Sequence, residues 1–411
     1  MTAQTKTQTF IDFESQHGAH NYHPLPVVLT TGKGIDVWDV EGRRYFDFLS
    51  AYSACNQGHC HPKIVKAMID QAQRLTLTSR AFHNDRLGPC EKLLTELFGY
   101  DKVLMMNSGA EAVETAIKLC RKWAYQKKKI KDGSAKIIVC EGNFHGRTVT
   151  MISASTSSDS RDGFGPFTPG FIKIPYGDSA ALEQALEDPQ VAGFLFEPIQ
   201  GEAGVIIPPD GWIKECAQLC KQVNVLFIAD EIQTGLGRTG RMLSCDHEGV
   251  RPDLVILGKA LSGGMMPVSA VLADDDVMLC IRPGEHGSTF GGNPLACAVT
   301  EAAIAVLVDE KLAENAMRLG TLFRTELRKF ASPLVNEIRG KGLLTGVVIG
   351  KENGKTALDL CMKLMQNGLL AKPTREDTIR FAPPLMISET QLQEALEIIK
   401  TSLFATSWAI A

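Results

Sequence analysis

A carboxylate and a lysine stand at the ends of two of the most apolar runs in this chain. VLFIADEI (225–232) carries Asp230, and LVILGKAL (254–261) carries Lys259, followed by Leu261-Ser-Gly-Gly264. Ionisable groups are rare in such runs unless they are paired. One reading is a structural ion pair. The other is chemical. A lysine in a dry site can lose its proton and form a Schiff base with a carbonyl. A buried carboxylate can keep a pyridine nitrogen protonated, which turns the ring into an electron sink. A third feature follows the run KVLMMN (102–107), where Asn107-Ser108-Gly109-Ala110-Glu111 opens a helical pattern. A hydroxyl and free N–H groups at a helix N-terminus form an anion site, although Ser108 could equally be a plain helix cap. Together the three features would anchor pyridoxal 5'-phosphate.

Other patterns compete for attention. Gly235-Leu-Gly237-Arg-Thr-Gly240 matches the G-x-G-x-x-G dinucleotide fingerprint and would suggest a nicotinamide dehydrogenase. Its glycines come several residues after the apolar run, and RMLSCDHEGV shows no amphipathic helix behind them. The stretch therefore reads as a glycine-rich loop of the site. His59-Cys60-His61 and the pair Cys216, Cys220 offer metal-ligand types. No second pair stands nearby at zinc spacing, so no metal is expected. Cys216 and Cys220 lie one helical turn apart and read as a buried helix face. The run Lys127-Lys128-Lys129-Ile130-Lys131 reads as a solvated helix end.

These groups need a frame to hold them. Seven short apolar runs span residues 102–273: 102–107, 136–141, 171–176, 191–199, 225–232, 254–261 and 268–273. They are rich in Val, Ile, Leu and Phe and do not alternate. Strands buried on both faces have this pattern, so a mostly parallel sheet covered by helices is expected, an α/β architecture. Ligands in such folds bind beyond the carboxyl ends of the strands, where Asp230, Lys259 and Ser108 stand. Before residue 55, Gly34–Gly42 and RRYFDFLS read as two strands around a turn. After about residue 295 a long helix begins. Helices at 311–330 and 355–367 and strands near 343–349 and 378–381 follow. The division expected is an N-terminal segment (1–52), a large cofactor-binding domain (53–297) and a C-terminal part (298–411). The two ends would build a smaller α+β domain.

The motifs resemble a family. Asp230-Glu-Ile-Gln-Thr-Gly and Gly258-Lys259-Ala-Leu-Ser-Gly-Gly are similar to the signature of class III (fold type I) pyridoxal-phosphate-dependent aminotransferases. Asn21-Tyr22-His-Pro-Leu-Pro, Phe48-Leu-Ser-Ala-Tyr52, Gln57-Gly-His-Cys-His-Pro62, Gly146-Arg147-Thr148, Glu197-Pro-Ile-Gln-Gly-Glu202 and Arg380-Phe-Ala-Pro-Pro extend the likeness, most closely to the ornithine aminotransferases. The resemblance implies a ping-pong transfer of the δ-amino group of L-ornithine to 2-oxoglutarate, giving glutamate 5-semialdehyde and glutamate. It also implies roles. Lys259 would carry the cofactor and move the proton. Asp230 would pair with the ring nitrogen and Gln233 with the ring oxygen. Phe144 and Ile232 would cover the two ring faces. Ser108, Gly109 and Ala110 would hold the phosphate. Ser288 and Thr289 would reach it from the second subunit of a homodimer. Tyr22, Tyr52 and Arg147 would hold ornithine, with Arg147 also taking the distal carboxylate of 2-oxoglutarate. Arg380 would take the carboxylate near the reacting carbon and would be shielded by Glu202 when ornithine is bound. One departure is His145, which stands where ornithine-acting members carry a bulky aromatic such as Trp. A different pocket wall is expected there. Another amino donor of the same class, N-acetylornithine or 4-aminobutyrate, is the nearest alternative.

Bulk properties agree with such an enzyme. The chain has 411 residues, 44% of them hydrophobic, and a net charge of −4. That excludes a polybasic nucleic-acid binder and an acidic disordered chain. The 11 cysteines are scattered, which points away from a secreted disulfide scaffold. No apolar run is long enough to cross a membrane. The polar start MTAQTKTQTF reads as neither a secretory signal nor an arginine-rich transit peptide. A cytoplasmic location is expected, or the mitochondrial matrix if a leader has been removed.

Overall fold

The computed structural model describes residues 5–350, 354 and 356–405. The expected domain ends at 1–4 and 406–411, and residue 355 of the expected helix 355–367, lie outside the described residues. After a first helix, Lys6–His17, three short strands form a meander: β1 (Leu29–Lys33), β2 (Asp36–Asp39) and β3 (Arg44–Asp47). β1 pairs with β2 and β2 with β3, both antiparallel, as the expected pair of strands around a turn requires.

The seven apolar runs are seven strands of one sheet. They are β4 (Lys102–Met106), β5 (Lys136–Cys140), β6 (Phe171–Ile174), β7 (Val191–Phe196), β8 (Leu226–Asp230), β9 (Leu254–Leu257) and β10 (Ser269–Ala273). Their order is β4-β10-β9-β8-β7-β5-β6. Pairs from β6 to β9 are parallel, while β10 is antiparallel to both β9 and β4. The unbroken apolar runs have a physical cause in the two covered faces. Ile137, Val139, Leu195 and Ile228 pack with helix Gly109–Trp123 on one side. Ile138, Cys140, Phe194 and Phe227 pack with helix Trp212–Gln222 on the other. Cys216 and Cys220 are buried on that helix, as their spacing predicts.

Beyond the sheet, helix Pro294–Asp309 starts at Asn293, whose Oδ1 accepts from the Ala296 N–H at 2.8 Å. Helix Leu312–Lys329 follows, then β11 (Val335–Lys341), β12 (Leu344–Ile349), helix Ala357–Gln366, β13 (Leu369–Leu370), β14 (Lys372–Pro373), β15 (Thr378–Phe381) and helix Glu389–Leu403. A four-stranded sheet runs β11-β12-β15-β14. β13 instead pairs in parallel with β3, so the two ends of the chain share one sheet. No helix among the described residues is long and apolar enough to cross a membrane.

Candidate active site

Asp230 is the last residue of β8, and Lys259 lies two residues beyond β9, its parallel neighbour. Adjacent strands ending at one level therefore present the carboxylate and the amine to one cavity, of about 220 Å³. Gly109, Ala110, Phe144, His145, Glu197, Ile232 and Gln233 also line it. The sequence had brought all of these but Glu197 and His145 together as cofactor contacts.

Lys259 adopts a left-handed backbone (φ 44°), strain that only a rigid surround sustains. Burial is the main influence on its amine and lowers it to about 8, against opposing attraction from Glu202 and Asp230. The ordinary value is 10.5, so the neutral nucleophile is accessible near neutral pH. Asp230 accepts the Ile232 N–H at 3.1 Å through Oδ1. Its Oδ2 lies 2.7 Å from His145 Nδ1. Burial alone would lower the imidazole, but Asp230 outweighs it and His145 ends above its ordinary value. The sequence had read His145 as an altered wall. The structure shows it as the partner of the central carboxylate, a contact spanning 85 residues that local spacing cannot reveal.

At the other end of the cavity Ser108 is a helix cap. Its Oγ accepts the Glu111 N–H at 3.2 Å, and Glu111 Oε2 accepts the Ser108 N–H at 2.7 Å. The Gly109 and Ala110 N–H groups have no acceptor within the helix. A Cβ at Gly109 would sit 3.1 Å from Ile232 Cδ1, so glycine lets Ile232 lie close under this helix start. The plain-cap reading and the anion-cradle reading are therefore compatible: the cap leaves the first two N–H groups for a ligand.

Arg380, Glu202 and Tyr52 form a second cluster that reaches the cavity through Gln233. Arg380 is 2% exposed, and its NH1 donates to Glu202 Oε1 at 2.6 Å and to Gln233 Oε1 at 3.0 Å. Burial pushes the Glu202 carboxyl up, but Arg380 and then Lys259 overcome that and hold it below its ordinary value. Arg380 and Glu202 are thus joined directly as an ion pair. Gln233, assigned to the ring oxygen, here bridges that pair, with its Nε2 donating to Glu202 Oε1 at 3.2 Å. Arg380 Nε is buried without a hydrogen-bond partner. Tyr52 presents its ring 5.0 Å from the Arg380 guanidinium carbon. It sits in an unusual turn, since Ser50, Ala51, Tyr52 and Ser53 all have positive φ. Each left-handed non-glycine residue costs about 1–2 kcal/mol, so this turn must be held. Asp47 Oδ1 accepts the Leu49 and Ser50 N–H groups, and Ser50 Oγ donates to Ala382 O at 2.6 Å.

Tyr22 is 71% exposed and lies within electrostatic reach of Tyr52. Arg147 is exposed, with its guanidinium 5.4 Å from the Phe144 ring centre. Ser288 Oγ accepts from Asn107 Nδ2 of its own chain at 2.7 Å, whereas Thr289 is exposed. Glu197 is the residue that the sequence quoted without a role. Its Oε2 accepts the Phe144 N–H at 3.0 Å, and burial pushes its carboxyl up to about 8. No cluster that could hold a metal occurs among the described residues. Gly235–Gly240 follows β8 but leads to a short 3-10 turn, Ser244–Glu248, and to no dinucleotide-type helix.

The donor set fits a phosphorylated pyridine aldehyde. It offers a depressed lysine, a carboxylate backed by an imidazole, a stacking ring and a helix start for the phosphate. The fold is that of a fold type I transferase. Residues 17–403 match the family described as aminotransferase class-III, and the chain belongs to that family, whose members use pyridoxal phosphate. Within it, the chain is 60% identical over 392 residues to the mitochondrial ornithine aminotransferase of Rattus norvegicus, covering 95% of this chain and 89% of that one. It superposes on the ornithine aminotransferase of Toxoplasma gondii, which carries partly occupied PLP at its active site, with a TM-score of 0.95 and 51% identity. That match covers 98% of this chain and 95% of that one. It also resembles the acetylornithine aminotransferase of Elizabethkingia anophelis, with a TM-score of 0.89 and 55% identity over 97% of this chain and 99% of that one.

Proposed function

We propose that this enzyme transfers the δ-amino group of L-ornithine to 2-oxoglutarate in two half-reactions, releasing glutamate 5-semialdehyde and then glutamate. The Arg380–Glu202 pair carries the reading. An amine donor with no carboxylate beside its reacting carbon leaves Arg380 to Glu202. A 2-oxo acid brings a carboxylate to that carbon, and Arg380 must leave Glu202 to clamp it, as guanidinium forks clamp carboxylates. One site can then accept two unlike substrates in turn.

When bound, pyridoxal phosphate supplies an aldehyde and an electron-withdrawing ring that make a proton on the amine-bearing carbon removable. The chain's own residues do the rest. Lys259 offers an amine that is neutral above about pH 8 and moves that proton as a base. Asp230, held by His145, would pair with the ring nitrogen. Gly109 and Ala110 present the helix start to the phosphate. Tyr22, Tyr52 and Arg147 hold the α-amino and α-carboxylate groups of ornithine, so that only its far amine reaches Lys259. Arg147 in turn holds the distal carboxylate of 2-oxoglutarate.

The same reading pairs two copies of the chain. Ser288 and Thr289 of one subunit approach the phosphate end of the other, and Thr289 and the exposed Phe290 beside it are available for this contact. Residues 53–297 form the cofactor-binding domain, with 1–52 and 298–411 joined as the smaller one, supported by the pairing of β13 with β3. Of the two compartments considered, the name of the rat relative supports the mitochondrial one.

The likeness to an acetylornithine aminotransferase favours one second reading, N-acetylornithine as donor. An amino-donor panel with 2-oxoglutarate, read by semialdehyde formation, decides between them. Ornithine is expected to give the highest kcat/KM. A preference for N-acetylornithine or 4-aminobutyrate overturns the proposal.

A further inference from the structure

The Gly235–Gly240 loop contains a buried cation that the reaction does not use. Arg238 is fully buried, and its guanidinium donates to three acceptors. NH1 reaches Leu343 O at 2.9 Å and Pro383 O at 2.6 Å, and NH2 reaches Asn56 Oδ1 at 2.6 Å. Among the described residues none of its hydrogen-bond partners is a carboxylate. The Asp47 carboxylate attracts it without hydrogen-bonding to it. A buried cation held mainly by neutral acceptors is expensive, so the geometry it enforces must matter.

Two of the three acceptors belong to segments that carry part of the substrate site. Pro383 lies just beyond Arg380 and Phe381 of β15. Asn56 follows the strained Ser50–Ser53 turn that holds Tyr52, and its Nδ2 donates to Leu236 O at 2.9 Å. Its own carbonyl accepts the Leu385 N–H at 2.7 Å. Leu343 forms the tip between β11 and β12, and the Leu343 N–H returns a bond to Arg238 O at 3.1 Å. The loop starts two residues after Gln233, which touches Arg380 directly.

The glycines explain how the pieces come so close. A Cβ on Gly342 would lie 2.3 Å from the Thr239 carbonyl carbon, and one on Gly240 would lie 2.9 Å from Met317 Cβ. The glycine pattern that mimics a dinucleotide fingerprint is thus a packing joint. It presses the β11–β12 tip and helix Leu312–Lys329 against the loop that follows Gln233.

We propose that Arg238 is a positioning residue, whose hold on the Pro383 carbonyl fixes Arg380 relative to Gln233 and so sets the affinity for the acid co-substrate. The inference rests on the reaction proposed above, in which Arg380 clamps a carboxylate only in the 2-oxo-acid half. A displaced Arg380 weakens that half. The amine-donor half, in which Arg380 stays with Glu202, is largely spared.

The test follows the two half-reactions separately in the holoenzyme, from the absorbance of the bound cofactor. The variants are Arg238→Lys, Arg238→Met and, as a milder probe of the same fork, Asn56→Ser. Arg238→Met is expected to weaken apparent binding of glutamate and 2-oxoglutarate by about tenfold or more, with ornithine changed by no more than about threefold. Arg238→Lys restores part of the loss. Asn56→Ser shows the same selectivity at smaller amplitude, and it decides the matter if Arg238→Met does not fold. Equal losses in both halves, or unchanged acid binding in a folded variant, overturn the assignment. The wild type is read first. If it fails to turn over ornithine with 2-oxoglutarate, the underlying reaction falls and the inference with it.

Discussion

His145 Nδ1 lies 2.7 Å from Asp230 Oδ2, and neither side chain reaches bulk water. The imidazole spreads the buried carboxylate's charge and fixes its direction, while its Nε2 has no partner. Replacing His145 with Leu leaves Asp230 buried and unpaired, a change that costs about 3–5 kcal/mol for a broken buried pair. Gln can still donate to Asp230 and should cost less than half of that. Denaturant unfolding of the cofactor-free protein reads the difference. Because the folded imidazole holds its proton more tightly than the ordinary value of 6.5, the pairing stabilises fully below that pH. It fades as the pH rises through the raised value. A Leu variant that unfolds at the wild-type midpoint at pH 6 would remove the assignment.

Lys259 carries a pH signature of its own. Its folded value of about 8 lies below the ordinary 10.5. Between those limits the unfolded chain binds more protons than the folded one, so this residue makes stability rise with pH across that window. Only the neutral amine attacks a carbonyl. The rate at which the cofactor-free protein takes up pyridoxal phosphate should therefore climb with pH and level off above about 8. Stopped-flow absorbance measures it. Lys259→Ala should show no such phase and no turnover, and a visible band identical to that of the wild type would refute the lysine assignment.

Glu197 has the opposite sign. Burial raises its carboxyl from 4.5 to about 8, so between these limits the folded state binds the extra proton and stability falls as the pH rises. Glu231, pushed up to about 7 by burial, acts in part of the same window. The effect of Glu197 is therefore read as a difference. Glu197→Gln keeps an acceptor for the Phe144 N–H and cannot ionise. It should be close to wild type in stability near pH 5 and more stable above pH 8. Thermal unfolding of the pair across that range gives the answer, and parallel curves would count against a proton on Glu197.

How much of this was legible in the residues depends on range. The seven strands of the central sheet were visible because burial on both faces leaves unbroken apolar runs such as VAGFLF in β7. Asp230 and Lys259 were visible because charges ending such runs are improbable. β11 was missed because its burial is only partial, which leaves no apolar run to read. The first helix, Lys6–His17, has no buried residue and hence no stripe to read. The His145–Asp230 and Arg238–Asn56 bonds join residues far apart in sequence, and only the folded topology creates them. The motif at Gly235–Gly240 was legible as glycine-dependent but not as an interface, because its reason lies in Gly342 and Met317.

Glu202→Ala tests the substrate switch. Without Glu202, Arg380 keeps Gln233 Oε1 but loses its anion. The freed guanidinium then holds any carboxylate presented beside the reacting carbon. Turnover of glutamate as amino donor should rise, and kcat/KM for ornithine should fall by about tenfold, near 1.4 kcal/mol of transition-state stabilisation. Steady-state kinetics with both donors separates this from general damage, which would lower both.

Gly320→Ala tests the packing joint. Gly320 lies inside helix Leu312–Lys329, where alanine is the better helix former by about 1 kcal/mol. An exposed helical glycine would therefore gain stability on this change. Here the added Cβ would lie 1.7 Å from Gly342 O. Neither side can yield cheaply. The obstacle is backbone at the β11–β12 tip, and that tip is held by Arg238 on Leu343 O and by Arg324 on Gly342 O at 2.6 Å. Overpacking of this kind costs about 1–3 kcal/mol or more, enough to reverse the propensity gain. The variant should melt lower than wild type. If the tip moves as a body, it should also lose affinity for 2-oxoglutarate before ornithine, since Arg238 grips the same tip. A variant more stable than wild type would show that the hairpin tip is not packed against this helix.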